Sequence, residues 1–237
     1  MKDYKILLFD ADNTLFDFSR GEENAFRETA AAGGFAFTEP LYLAYSRIND
    51  SLWKRLERRE IGLDFLKLER FRLLLVSMGE PEGGETLEKA AFLRDAYIEA
   101  LAEQAVLIPG AYELCRDLAP RYEMYIVTNG ISCIQHRRFA KSGLAPFFRG
   151  MFVSEEIGVQ KPERGYFDAV FASLGNPPKE EVLVIGDSLT SDVDGALAYG
   201  LDICRYNPGG KPDEGRKITY TVTKLSGLKD ILSGGRS

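Results

Sequence analysis

Apolar residues along this chain follow two kinds of pattern. Residues 5–9 (KILLF), 123–127 (EMYIV), 151–153 (MFV) and 181–185 (EVLVI) are short apolar runs bounded by turn-forming residues. Strands of a parallel sheet are covered on both faces and read as continuous apolar runs of this kind. Between the runs, residues 110–119, 131–142, 163–174 and 190–199 repeat apolar positions at spacings of three and four, which stack side chains on one face of a helix. Strand and helix alternate, so the pattern predicts an α/β fold built on a doubly wound, Rossmann-like parallel sheet.

The alternation breaks off after the first strand. Roughly ninety residues follow without a strand pattern. Segments 21–32, 40–59, 63–78 and 86–104 are rich in Leu, Ala, Glu, Arg and Lys, with breaks at Gly33-Gly34, Gly62 and Gly79-Glu80-Pro81, and they read as helices. The expected organisation is a discontinuous α/β core of residues 1–15 and 107–232, a helical insert of residues 16–106, and a disordered tail over residues 233–237.

The bulk properties narrow the function by exclusion. A chain of 237 residues with 45% hydrophobic content can bury a substantial core. Its formal charge of −6 leaves no general footprint for a nucleic-acid polymer or an anionic membrane, which attract clustered Lys and Arg. Cys115, Cys133 and Cys204 are odd in number and widely spaced, which suggests neither a disulfide framework nor a zinc cluster. A reducing, cytoplasmic setting fits, with Cys133 and Cys204 expected as small buried side chains. The first ten residues hold an apolar run too short for a signal segment or a membrane span, so no targeting segment is expected. The one histidine, His136, gives a zinc site or a histidine-based triad little to build on. With Arg137 and Arg138 it reads as a solvated helix face, and whatever chemistry the chain performs falls to carboxylates.

Those carboxylates sit at strand ends. Asp10 and Asp12 follow the first strand two residues apart, a spacing that turns both side chains the same way in extended backbone. Asp187 and Asp192 follow the strand VLVI and lead into a helix. Ligands of open α/β sheets bind at this edge. If the two strands are neighbours, the converging negative charge calls for retained protons or a hard, oxygen-seeking cation such as Mg²⁺. Thr128 and Asn129 close another strand with a hydroxyl, an amide and Gly130 ahead of a helix, suited to grip a phosphate. Lys161, followed by Pro162 at an expected helix start, supplies a compact positive charge. Singly, each feature is as well explained by turn chemistry, since Asp-x-Asp after a strand and Gly-Asp-Ser in a loop are common caps. Gly209-Gly210-Lys211 lacks the upstream glycine and the hydroxyl residue of a P-loop.

Together these four stretches resemble, in order, the four motifs of the haloacid dehalogenase superfamily of phosphatases, and the resemblance spans nearly the whole chain. It implies Asp10 as a nucleophile that forms an aspartyl-phosphate and Asp12 as general acid, then base. It also implies Mg²⁺ held by Asp10, the Asp12 backbone carbonyl and Asp187, with Thr128, Asn129 and Lys161 on the phosphate and Asp192 in support. The dehalogenases of the superfamily lack an aspartate at the position of Asp12. The helical insert corresponds to a cap domain that excludes water and selects substrates.

Within the superfamily the chain is similar to the bacterial pyrimidine 5′-nucleotidases. The likeness rests on Thr14-Leu15-Phe16, on Asn49 and Leu52-Trp53 in the insert, on Ser154 through Val159, and on Gly175-Asn176-Pro177. The branch usually has Glu where Asn13 stands. The implied partner is a small phosphorylated metabolite, a nucleoside monophosphate, with Trp53, near Tyr42, Tyr45 and Phe65, as a possible contact to the base. A sugar-phosphate or phosphoglycolate phosphatase, a phosphomutase and a non-catalytic phosphate-binding module are the alternatives that the motifs leave open.

Overall fold

The computed structural model describes residues 2–233, which form two compact units, one of residues 2–18 with 105–233 and one of Ser19–Gln104. In the first unit, β1 (Ile6–Phe9), β2 (Glu123–Thr128), β3 (Gly150–Val153), β4 (Val182–Gly186), β5 (Asp202–Tyr206) and β6 (Tyr220–Val222) make one parallel sheet in the order β3-β2-β1-β4-β5-β6. This is the doubly wound order, and its topological switch point lies between β1 and β4. Phe9 is in register with Ile126 of β2 and Ile185 of β4. Asp10 therefore leaves β1 flanked by the ends of two other strands, and its N–H donates to the Ile185 carbonyl at 2.8 Å.

Alternation along β1 divides the core. Leu7 and Phe9 pack on one face, with Leu114, Cys115 and Leu118 of α5 (Ala111–Leu118) and Leu228 of α10 (Gly227–Ser233). Ile6 and Leu8 pack on the other, with Tyr166, Phe167 and Val170 of α8 (Arg164–Ser173) and Ala196 of α9 (Asp194–Tyr199). Two apolar layers on one sheet are what continuous Val, Ile and Leu runs require. The strands β5 and β6 escape the apolar-run pattern because Asp202, Arg205 and Thr221 interrupt them. Arg205 is nonetheless buried, donating to the carbonyls of Lys211 and Pro212 and pairing with Asp213. Ser233 closes α10 rather than opening a loose tail, and the remainder of the expected tail lies outside the described residues.

The second unit holds α1 (Phe18–Ala32, from its second residue), α2 (Glu39–Glu57), α3 (Leu63–Ser77) and α4 (Gly84–Ala102). Thr38 caps α2 by accepting from the Leu41 N–H, and Pro40 follows in the first turn, as helix starts prefer. Phe26, Tyr45, Phe71 and Tyr97 pack ring on ring at the centre, with Phe26 stacked on Tyr45 at 4.6 Å. Tyr45 is thus a core residue and not a candidate base contact, whereas Phe65 is exposed and Trp53 is half-buried.

A polar strand of contacts threads this core. Asn49 donates to Glu22 at 2.8 Å and accepts from the buried Arg70 at 3.3 Å, while the Arg70 guanidinium lies over the Tyr97 ring at 4.3 Å. Asn49 is 2% exposed, so it belongs to the interior of the helical unit. Burial pushes the Glu22 carboxyl up to about 7, against the pull of Arg70. A carboxyl raised on folding stabilises the fold fully below its unfolded value, and that contribution is lost as pH rises through about 7. The helical unit is expected to lose on the order of 1 kcal/mol between about pH 6 and about pH 8.5. Urea unfolding followed by the fluorescence of Trp53, the chain's one tryptophan, measures this, and Glu22→Gln should flatten the dependence.

Candidate active site

The carboxyl edge of the sheet gathers three of the aspartates. Carboxylate oxygens of Asp10, Asp187 and Asp192 lie within 4.8 Å of one another. Asp10 extends β1, Asp187 extends the adjacent β4, and Asp192 stands in the π-helical turn Leu189–Val193 that leads into α9. Ser188 shapes that turn: its hydroxyl accepts from the Ser191 N–H at 3.2 Å, and its own N–H donates to Asp192 at 3.1 Å. A Cβ at Gly186 would fall 2.4 Å from the Asp192 carboxyl group, so the glycine of the Gly-Asp-Ser stretch is required for space.

Lys161 neutralises part of this cluster. Its ammonium donates to Asp10 Oδ1 at 2.8 Å, to Asp192 Oδ1 at 2.6 Å and to the Val127 carbonyl at 2.7 Å, which accounts for all three of its protons. Asn129 secures the loop: its side chain donates to the Lys161 carbonyl at 2.8 Å and accepts from the Lys161 N–H at 2.9 Å. The Asn129 side chain is therefore engaged with the protein, and a ligand would meet its backbone. Pro162 follows a cis peptide bond and precedes the helix, which starts at Arg164. It does not occupy the first helical position expected from the sequence. Thr128 is buried at the end of β2, and its hydroxyl accepts from the Gly130 N–H at 3.1 Å.

Three carboxyl groups face one ammonium in a nearly dry setting. Burial, then the charge of Asp192, pushes the Asp10 carboxyl well above the usual range, with Lys161 opposing. Burial and Asp192 likewise push Asp187 up to about 7. Burial works against the Lys161 charge, but Asp10 and Asp192 outweigh it and hold the ammonium above its ordinary value. The residual negative charge and the all-oxygen donor set suit a hard divalent cation. Asp10 and Asp187 are the more exposed edge of the set, since Asp192 is 0% exposed.

Asp12 lies outside this group of three. Its two carboxylate oxygens are held at 2.6 Å by Gln135 Nε2 and at 2.6 Å by Arg138 Nη1, both from α6 (Ser132–Lys141). Asn13 adopts a φ of 60° in the turn that follows, a conformation that asparagine tolerates better than most residues. Arg138 corrects the solvated-face expectation, because it is 0% exposed while His136 stays at the surface beside Glu156. Three successive helical residues span about 200° and cannot share a face. The buried side of α6 is Ile134, Gln135 and Arg138, continuing from Ile131 at spacings of three and four, and that periodicity was the signal for both Gln135 and Arg138. Cys133 falls on the outer side and is exposed, contrary to expectation, whereas Cys115 and Cys204 are buried.

Fold and site together define a doubly wound α/β protein with a carboxylate centre at its switch point. Residues 4–200 match the family model of the haloacid dehalogenase-like hydrolases, and the chain belongs to that family. The pyrimidine 5′-nucleotidase PynA of Streptococcus pneumoniae is 36% identical over 97% of this chain and 95% of its own length. The pyrimidine 5′-nucleotidase YjjG of Escherichia coli is 31% identical over 95% of this chain and 96% of its own. A crystal structure of YfnB from Bacillus subtilis bound to magnesium matches with a TM-score of 0.89 at 38% identity, covering 98% of this chain and 99% of that one. Among the described residues, no helix is long and apolar enough to cross a membrane.

Proposed function

We propose that this hydrolase is a Mg²⁺-dependent phosphatase of nucleoside 5′-monophosphates. The observation that carries the chemistry is the buried Asp10 at the switch point, bonded to Lys161 and set beside Asp187 and Asp192. The similarity to PynA and YjjG supports the choice of substrate.

In this reading an Asp10 carboxylate oxygen attacks phosphorus in line, and the ester P–O bond breaks. Asp12 gives its proton to the departing alkoxide. The Asp12 carboxylate then takes a proton from water as the water oxygen attacks the aspartyl-phosphate, releasing inorganic phosphate and restoring both carboxyl groups. Lys161, Thr128 and the backbone of Asn129 orient the phosphoryl oxygens, and Lys161 exchanges one of its protein acceptors for the phosphate as it does so. Asp192 holds Lys161 in place. Asp10, the Asp12 carbonyl and Asp187 would hold Mg²⁺, which when bound neutralises the carboxylates and polarises the phosphoryl group. The helical unit acts as the cap, with Trp53 as a candidate contact to the base.

The test is phosphate release from a panel of nucleoside monophosphates and sugar phosphates, with Mg²⁺ and with EDTA. Release from UMP, dUMP, TMP or dCMP that EDTA removes and Mg²⁺ restores is the expected result. Faster release from sugar phosphates would keep the mechanism and discard the nucleotide assignment. No release from any ester would point to a phosphate-binding module.

A further inference from the structure

Asp12 is gripped by side chains that none of the four motifs contains. Each of its carboxylate oxygens accepts one short bond, from Arg138 at 2.6 Å and from Gln135 at 2.6 Å. Gln135 and Arg138 stand one turn apart on α6, so a single helix face presents both donors. They are 2% and 0% exposed, whereas the Asp12 side chain is 24% exposed. The Arg138 guanidinium is itself braced over the rings of Phe16 at 4.6 Å and Phe18 at 5.7 Å.

The path of Gln135 is also built. An added Cβ on Gly130 would lie 2.0 Å from Gln135 Nε2 and 2.7 Å from its amide carbon. Gly130 has no left-handed φ, so the glycine after Thr128-Asn129 serves close approach and not conformational freedom. The amide reaches Asp12 across the bare Cα of Gly130.

A carboxylate in a turn and open to solvent on one side samples several rotamers. Two charge-assisted or short bonds from a rigid helix remove that freedom. We propose that Gln135 and Arg138 are positioning residues that fix the Asp12 carboxyl group for proton transfer, acting through Asp12 and not on the substrate. The inference rests on the reading of Asp12 as general acid and base. A donor that is misplaced by about 1 Å loses about a hundredfold in rate. That loss falls on esters whose leaving group needs a proton and spares those whose leaving group departs as a stable anion.

The experiment compares kcat/KM for UMP, or for the alkyl phosphomonoester turned over fastest in the panel, with kcat/KM for p-nitrophenyl phosphate. Arg138→Met is expected to lower the alkyl value about a hundredfold and Gln135→Leu about tenfold, with p-nitrophenyl phosphate changing by less than about threefold in either. Arg138→Lys should recover part of the loss. Gln135→Leu removes a bond without stranding a buried charge, so it decides the matter even if Arg138→Met folds poorly. Equal losses on both esters would show that these residues only support the fold and would overturn the proposal, as would unchanged kinetics. Asp12→Asn is the reference and should show the same split. If Asp12→Asn spares the alkyl ester, it is the reading of Asp12 that fails and not the positioning.

Discussion

Asp10→Asn is expected to abolish phosphate release, by a factor on the order of 10⁴ or more, while leaving the protein folded. The amide keeps the shape of the carboxyl group but lacks the charge and nucleophilicity needed to attack phosphorus. Its oxygen can still accept from Lys161, which retains Asp192 and the Val127 carbonyl as further acceptors. The substitution also removes one of three carboxyl groups crowded within 4.8 Å, and with it the charge whose burial, and then repulsion by Asp192, raise the Asp10 carboxyl. Thermal unfolding should therefore match or exceed that of the unmodified chain. Steady-state phosphate release and rapid-quench trapping of a phosphorylated protein measure the two halves of the claim. A variant that still turns over, or still traps phosphate on the protein, would remove Asp10 from the role of nucleophile.

Lys161→Met is expected to damage both activity and stability. Lys161 is 1% exposed and pairs with both Asp10 and Asp192. Removing one partner of a buried ion pair strands the others, at a cost of about 3–5 kcal/mol. The loss should be smaller at acid pH, where the Asp10 carboxyl, raised by burial and then by the charge of Asp192, holds its proton, and should grow as pH rises and it ionises. Phosphate release should fall on the order of 10³-fold, because the transferring group loses a fixed positive charge. Lys161→Arg is not a rescue, since a planar fork cannot reach three acceptors arranged around a point charge. Urea unfolding across pH, combined with kcat at saturating substrate, separates the two effects. Full stability in Lys161→Met would mean that the carboxyl groups are neutralised by something other than this ammonium.

The residues that meet at the sheet edge were legible for a local reason. A parallel strand buried on both faces must be apolar throughout, so β1, β2, β3 and β4 stand out as runs, and the polar residue just after each run marks the edge where ligands bind. Asp10, Thr128 and Asp187 were found in this way. The strands β5 and β6 were not, because Asp202, Arg205 and Thr221 break the apolar run and their partners come from loops that no periodicity reports.

What the amino-acid order determined alone is therefore local: which segments form β1 to β4 and most of the helices, and which residue ends each of those strands. Partnership across the chain was decided only by tertiary structure. Lys161 finds Asp10 at a separation of 151 residues, and Arg138 finds Asp12 at 126. The sequence carries no sign of which counter-charge a buried charged residue will meet. Arg138 is buried because α6 packs its inner face toward the loop after β1, where the Asp12 carboxylate and two aromatic rings receive the guanidinium. Cys133, five residues earlier, faces the other way and stays exposed, although it is the more apolar of the two. Burial of a charge depends on what a particular packing brings to it, and that is a property of the assembled sheet and helices rather than of any segment.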